Sequence, residues 1–324
     1  AERQGEFATY SDGPMSFSVA AGSCARLGSN GTVYQTILGM DPDLFLVPGD
    51  FFYADHMRTA DHFTEAFDQT LTQPAQAALY AQVPVAYVWD DHDYGGNDSD
   101  RTAPTRDLAH QAFSATVPHY ELPVPGTISQ AFSIGRVRFI MLDNRSERDP
   151  KSDPDSSDKT MLGMAQLEWL SNEIRNASES HSLIVLVTSV PWIAAEDPGA
   201  DHWGGYATER AQVADIITSS NGARLLMVAG DAHMVAIDDG TNTNFSAAGD
   251  VPFPLLHAAA LDRPGSVKGG PYSEGTYPGG GQFGLIEVTD TGTTEIGVRL
   301  AGYDWSGQLL VDYSFTVESS EVSP

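Results

Sequence analysis

The sequence predicts an α/β protein whose layers are built on two mixed sheets, not on a single parallel, doubly wound one. Three observations carry this. Short apolar runs alternate with helical stretches from residue 16 to about 228. Three further strand-like runs, Phe283 to Val288, Glu295 to Leu300 and Leu309 to Thr316, close the chain with no helix between them. Polar residues recur just past the ends of the apolar runs, where ligand sites assemble in α/β sheets.

Taken in order, residues 1–15 are rich in Gly, Ser, Asp and Pro and read as a loose N-terminal extension. Ser16 to Ala21 is a strand that stops at Gly22-Ser23-Cys24. A helical stretch over Thr32 to Met40 leads to a buried strand, Leu44 to Val47, ending at Pro48-Gly49-Asp50. Helix-like segments from about 58 to 82 precede an apolar strand, Val83 to Trp89. Residues 105–119 read as helix, and Ile128 to Ile134 with Val137 to Leu142 as a hairpin turned at Gly135-Arg136. Leu167, Leu170, Ile174 and Ala177 recur at helical spacing within Met164 to Ala177. Leu183 to Val187 is the next strand; a helix at about 207–219 precedes a strand at Arg224 to Val228, which ends at Gly230-Asp231-Ala232-His233. Residues 240–282 are Gly- and Pro-rich. Residues 16–324 form one domain with no internal boundary or repeat.

Seventeen Lys and Arg against 44 Asp and Glu give a formal net charge of −27. That field repels nucleic acid and anionic membrane surfaces, so neither is expected as a partner. No stretch reaches the ~18 uninterrupted apolar residues of a membrane span. The single cysteine, Cys24, excludes an intramolecular disulfide. A start at Ala1-Glu2-Arg3 suits a processed or trimmed chain. Acidity and cysteine poverty together point to a secreted or periplasmic protein.

The densest chemistry lies at Asp90-Asp91-His92-Asp93, three carboxylates and an imidazole at one strand end. Such a cluster is either a solvated acidic turn or a cation site, because a metal ion relieves the repulsion between adjacent carboxylates. The same two-sided reading applies elsewhere. Cys24 is a buried small hydrophobe or a thiolate ligand. Tyr53 is a packed aromatic or a phenolate ligand. Asp50 belongs to a simple turn or bridges cations, and Asp231-x-His233 is a capping pair or a ligand pair. Arg145 is a structural ion pair or a phosphate fork.

The combination resembles known sequences. Gly49-Asp50-x-x-Tyr53-x-Asp55, Asp91-His92-Asp93 and Gly230-Asp231-x-His233 resemble metal motifs of purple acid phosphatases. Trp89-Asp90-Asp91-His92-Asp93, Gly22-Ser23-Cys24, Leu142-Asp143-Asn144-Arg145 and Thr160-Met161-Leu162-Gly163 with Gln166 and Trp169 resemble the alkaline phosphatase D family of metallophosphoesterases. The resemblance implies a four-layer α/β/β/α sandwich of two mixed sheets flanked by helices, acting on small phosphate esters. It implies that Asp50 bridges the metals, with Cys24, Tyr53 and His233 on a ferric ion and Asp91 and Asp231 on a calcium-type ion. Other divalent metals are compatible with the second site. It also implies His92 as the acid, with Asp93 or another carboxylate orienting it. Arg145, Asn97 and Asn144 are the residues expected to position substrate. Two departures stand out: Ser189-Val190-Pro191-Trp192 lacks a His that purple acid phosphatases carry, and Asp231 stands where they have His. Both favour a hard ion over zinc in the second site. A phosphodiesterase, including a phospholipase D-type enzyme, is the alternative activity. A calcium-stabilised binding protein is the alternative outside catalysis.

Overall fold

The computed structural model describes residues 9–220 and 224–318; the outer part of the expected N-terminal extension lies outside them. In chain order the elements are β1 (Phe17–Ala21), α1 (Thr32–Gly39), β2 (Leu44–Pro48), α2 (Ala60–Thr72), α3 (Pro74–Tyr80), β3 (Val85–Val88) and α4 (Asp91–Tyr94). Then follow α5 (Arg106–Thr116), β4 (Gln130–Ile134), β5 (Val137–Met141), α6 (Met164–Ser180), β6 (Leu183–Thr188), α7 (Ala207–Ser219) and β7 (Leu225–Ala229). The chain closes with β8 (Met234–Asp238), β9 (Leu255–Ala258), β10 (Gly275–Pro278), β11 (Gln282–Thr289), β12 (Glu295–Asp304) and β13 (Leu309–Glu318).

These strands form a six-stranded sheet, β13-β12-β11-β1-β2-β3, and a seven-stranded sheet, β10-β8-β9-β7-β6-β5-β4. Both are mixed. In the first, β1, β2 and β3 run parallel while β11, β12 and β13 extend it antiparallel. In the second, β5, β6, β7 and β9 are parallel, β4 and β8 flank them antiparallel, and β10 pairs antiparallel with β8 at the edge.

Side chains alternate across a strand, so a sheet covered on both sides reads as a continuous apolar run. β5, β6 and β7 show why. Phe139, Val185, Val187, Leu226 and Val228 face the core shared with Val19, Leu46 and Ile286 of the first sheet. Their neighbours Ile140, Ile184, Leu186, Leu225 and Met227 face Leu170 and Ile174 of α6 and Val213 and Ile217 of α7. On the other side, Tyr34, Ile37, Phe63, Phe67, Leu79 and Phe113 bring α1, α2, α3 and α5 against the first sheet. The result is the four-layer sandwich that the sequence resemblance implied.

The Gly- and Pro-rich stretch over 240–282, in which the sequence marks no strand, contains β9 and β10, and β8 lies just before it. β9 and β10 are four residues each, too short to show a period, and Pro278 sits where β10 is an edge strand. Among the described residues, no helix is long and apolar enough to cross a membrane.

Candidate metal centre

The parallel strands β1, β2, β3 and β7 end side by side, and each releases a polar residue into the same space. The close approach of these ends explains two glycines. A Cβ on Gly49 would lie 2.5 Å from Asp90 Cβ, and one on Gly230 would lie 2.4 Å from the Pro48 carbonyl oxygen. Five described non-glycine residues adopt positive φ: Cys24, Asp41, Asp50, Asp98 and Asp231. Such backbone costs roughly 1–3 kcal/mol per residue and clusters at functional sites. Three of the five are expected ligands. A fourth, Asp98, donates its backbone N–H to Asp91 Oδ2 at 2.7 Å.

The structure brings together all six expected ligands. Cys24 Sγ lies 3.4 Å from Asp50 Oδ2 and 3.5 Å from the Asp231 carbonyl oxygen. The Tyr53 hydroxyl lies 2.8 Å from His233 Nε2. His233 Nδ1 is 2.8 Å from the Pro264 carbonyl, which accepts its proton and leaves the Nε2 lone pair turned to the site. One ligand atom each from Asp50, Asp91 and His92 falls within 4.8 Å of the others.

Electrostatics decide between a polar cluster and a cation site. Burial raises the pKa of the Asp50 carboxyl, and Asp91, Asp90, Asp93 and Asp231 raise it further. The Cys24 thiol is pushed up by burial, then by Asp50 and Asp231. Tyr53 is pushed up by burial and by the neighbouring Cys24 and Asp50. Asp231 is raised to about 6 by burial, against the pull of Lys268. Asp91 Oδ1 and Asp231 Oδ2 are buried and have no hydrogen-bond partner. Unpartnered buried carboxylate oxygens are rare and call for an ion. A cation among these groups reverses the sign of every interaction at once, so the residues present fit a metal centre.

His92 stacks on the Tyr53 ring at 3.7 Å between centroids. Its Nδ1 bonds to the Asp55 carboxylate, and its Nε2 lies 3.8 Å from Asp91 Oδ1. Asp55, which stands in the quoted Gly49-to-Asp55 motif, is therefore the carboxylate that orients His92. The expectation for Asp93 is corrected. Its carboxylate points into the protein, accepting from Phe51 N–H at 2.8 Å, the Tyr87 hydroxyl at 2.7 Å and Asp90 N–H at 2.7 Å. It folds the one-turn α4 back on its own start, a capping-box contact.

Two of the three expected substrate residues are scaffold. Asn144 is fully buried; its Oδ1 accepts from Ser189 N–H at 2.9 Å and Thr188 Oγ1 at 3.1 Å, joining the ends of β5 and β6. Arg145 is also fully buried, donating to Asp90 at 2.6 Å, to both Asp201 oxygens at 3.0 and 2.7 Å, and to the Ser99 carbonyl at 3.2 Å. Burial alone would raise the Asp201 carboxyl, but Arg145 and Arg148 hold it well below the usual carboxylate range. Arg145 is thus the counter-charge that locks Asp90 and Asp201 beneath the site. Asn97 is exposed on the turn after α4, beside Asp98. Arg145→Met should lower folding stability by about 3–5 kcal/mol in urea denaturation, because it leaves buried Asp90 without its counter-charge and Asp201 with Arg148 alone. A surface phosphate fork would leave stability unchanged.

The remaining quoted motif is scaffold as well. Glu209 accepts from Thr160 Oγ1 and from Met161 and Leu162 N–H, and Gln166 bonds both backbone groups of Asp143. These contacts fix the start of α6 against the end of β5.

A two-sheet sandwich with carboxylates, a thiol, a phenol and imidazoles gathered at its strand ends is the arrangement of the metallophosphoesterase fold. A family model described as "PhoD-like phosphatase" matches residues 17–254, and the chain belongs to that family. It is 24% identical over 186 residues to alkaline phosphatase D of Bacillus subtilis (strain 168), covering 48% of this chain and 32% of that protein. The chain thus spans about a third of the length of this relative. The solved structure of PhoD superposes with a TM-score of 0.72 at 18% identity, over 98% of this chain and 74% of that one. A purple acid phosphatase, PPD1 from yellow lupin (Lupinus luteus) seeds, gives a TM-score of 0.61 at 13% identity, covering 94% and 54%. At these identities the two structures speak for the fold.

Proposed function

We propose that the chain hydrolyses small phosphate esters with the help of metal ions held at the strand ends. The observation that carries this is the set of buried, mutually repelling donors in which Asp91 Oδ1 and Asp231 Oδ2 lack partners, beside a His92 held in place by Asp55. Cys24, Tyr53 and His233 would hold a ferric ion, the choice that suits thiolate, phenolate and imidazole together. Asp91 and Asp231 would hold a calcium-type ion, whose preference is oxygen, and Asp50 would serve both. When bound, such cations polarise phosphoryl oxygens and lower the pKa of water.

The protein's own residues do the rest. The Asp55 carboxylate accepts from His92 Nδ1, which fixes the tautomer and turns Nε2 toward Asp91 and the site. His92 Nε2, once protonated, donates its proton to the leaving oxygen of the ester. The Tyr53 ring beneath the imidazole keeps it from swinging away. Acidity and a lone, buried cysteine support a secreted or periplasmic setting.

The test is turnover of a chromogenic phosphate monoester and of the matching diester by metal-loaded protein, with and without chelator. Hydrolysis of at least one that is lost on chelation is expected, and the ratio of the two rates assigns monoesterase or diesterase activity. No turnover of either leaves the carboxylates as binding sites for cations and defeats the enzyme reading. A ferric ion on Tyr53 would colour the protein; Tyr53→Phe should remove the visible band while the fold's circular dichroism is unchanged. A colourless, iron-free and fully active protein contradicts that assignment.

A further inference from the structure

With Arg145 enclosed by carboxylates, the phosphate dianion needs another cation in a chain of net charge −27. The loop between β9 and β10 brings one. Lys268 Nζ lies 2.5 Å from Asp231 Oδ1, and its side chain is 43% exposed whereas Asp231 is buried. An ammonium has three donors, so one is engaged by Asp231 and two remain for a ligand on the open side.

The loop is fixed on both sides of Lys268. Ser266 N–H donates to the His233 carbonyl at 3.0 Å, and His233 N–H donates to Ser266 Oγ at 3.2 Å. Beyond Lys268, Gly270 N–H donates to the Ile193 carbonyl at 2.7 Å. Gly269, at φ +76°, packs so closely that a Cβ there would lie 2.2 Å from the Ile193 carbonyl oxygen. The same loop lays Arg263 over the Tyr53 ring, 4.2 Å from its centroid. Two positive side chains from one pinned loop therefore border the candidate metal ligands.

We propose that Lys268 is a phosphate-binding residue, which rests on the phosphoesterase reading: its ammonium, steadied by Asp231, takes a non-bridging oxygen of the substrate phosphate. Lys suits the place because its charge is compact and its donors turn freely, whereas the planar fork of Arg145 is spent on carboxylates.

The experiment compares wild type, Lys268→Met and Lys268→Arg, all metal-loaded. It reads KM and kcat for the chromogenic monoester, competitive inhibition by inorganic phosphate, and metal content. In Lys268→Met, KM and the phosphate inhibition constant should rise together by roughly 10- to 100-fold, the range for losing one charge-assisted hydrogen bond. kcat should change far less, metal content should stay at the wild-type level, and Lys268→Arg should recover most of the loss. Unchanged phosphate inhibition in Lys268→Met, with wild type turning over, overturns the role of Lys268 and leaves the phosphoesterase reading standing. Loss of metal in Lys268→Met overturns it too, making Lys268 a structural counter-charge for Asp231. A wild type that neither turns over ester nor binds inorganic phosphate in a phosphorus NMR titration overturns both.

Discussion

His92→Ala is expected to lower kcat by roughly 10²–10⁴-fold, the usual worth of a positioned acid, while metal content stays near that of wild type. The geometry gives the reason. Asp55 holds Nδ1 and Tyr53 stacks on the ring, so two neighbours fix an imidazole whose remaining nitrogen faces Asp91 Oδ1 at 3.8 Å. Removing the ring removes the proton donor but none of Cys24, Asp50, Tyr53, Asp91, Asp231 or His233. Asp55→Asn should reproduce part of the loss, because it weakens the hold on the tautomer without removing the acid. The competing role is specific: His92 nitrogen also falls within ligand distance of Asp50 and Asp91 oxygens. Loss of metal on His92→Ala would therefore reassign it as a ligand. Kinetics and elemental analysis on the same sample separate the two.

Removing the metals should make folding stability fall as pH rises. In the metal-free protein burial pushes Asp231 up to about 6 and Asp93 up to about 8. In the unfolded chain both return to about 3.9. Between those values the folded state holds more protons than the unfolded one, so stability decreases with pH. The contribution is complete below the unfolded value and is lost as pH passes about 6 for Asp231 and about 8 for Asp93. Cations abolish the Asp231 share by favouring its ionised form, whereas Asp93, turned into the protein, keeps its share. Thermal unfolding at pH 5 and pH 8, with and without chelator, checks this. The drop in Tm caused by chelation should be clearly larger at pH 8. Equal drops at both values contradict a centre built from carboxyls of raised pKa.

Much of this was legible because burial on both faces makes each strand an apolar run, and the first polar residue after it is conspicuous. Cys24, Asp50, Asp91 and Asp231 were found that way, and the resemblance grouped them with Tyr53 and His233. Which way a strand-end side chain turns was not legible. Asp91 faces the donor cluster while its neighbours Asp90 and Asp93 face inward, a difference set by the single turn of α4. The same ambiguity sent Asn144 and Arg145 to the substrate when their partners, Ser189, Thr188, Asp90 and Asp201, lie within the scaffold. Asp55 was quoted within a motif, yet its pairing with His92 depends on how the chain passes the end of β2. Lys268 gave no signal at all. It sits in a Gly-rich loop whose path is set by hydrogen bonds to His233 and Ile193, far away in sequence. β9 and β10 were missed for a related reason, since strands of four residues owe their identity to their neighbours.

Elemental analysis of the purified, metal-loaded and desalted protein, paired with the same measurement on Asp50→Ala, is the most direct test of a metal centre at these strand ends. Asp50 lies between both halves of the donor set, 3.4 Å from Cys24 Sγ on one side and within 4.8 Å of an Asp91 oxygen on the other. Wild type should retain tightly bound metal, iron included, and Asp50→Ala should lose most of it together with esterase activity. Wild type that retains no metal yet hydrolyses the ester at full rate, or Asp50→Ala with an unchanged metal complement, would contradict the assignment.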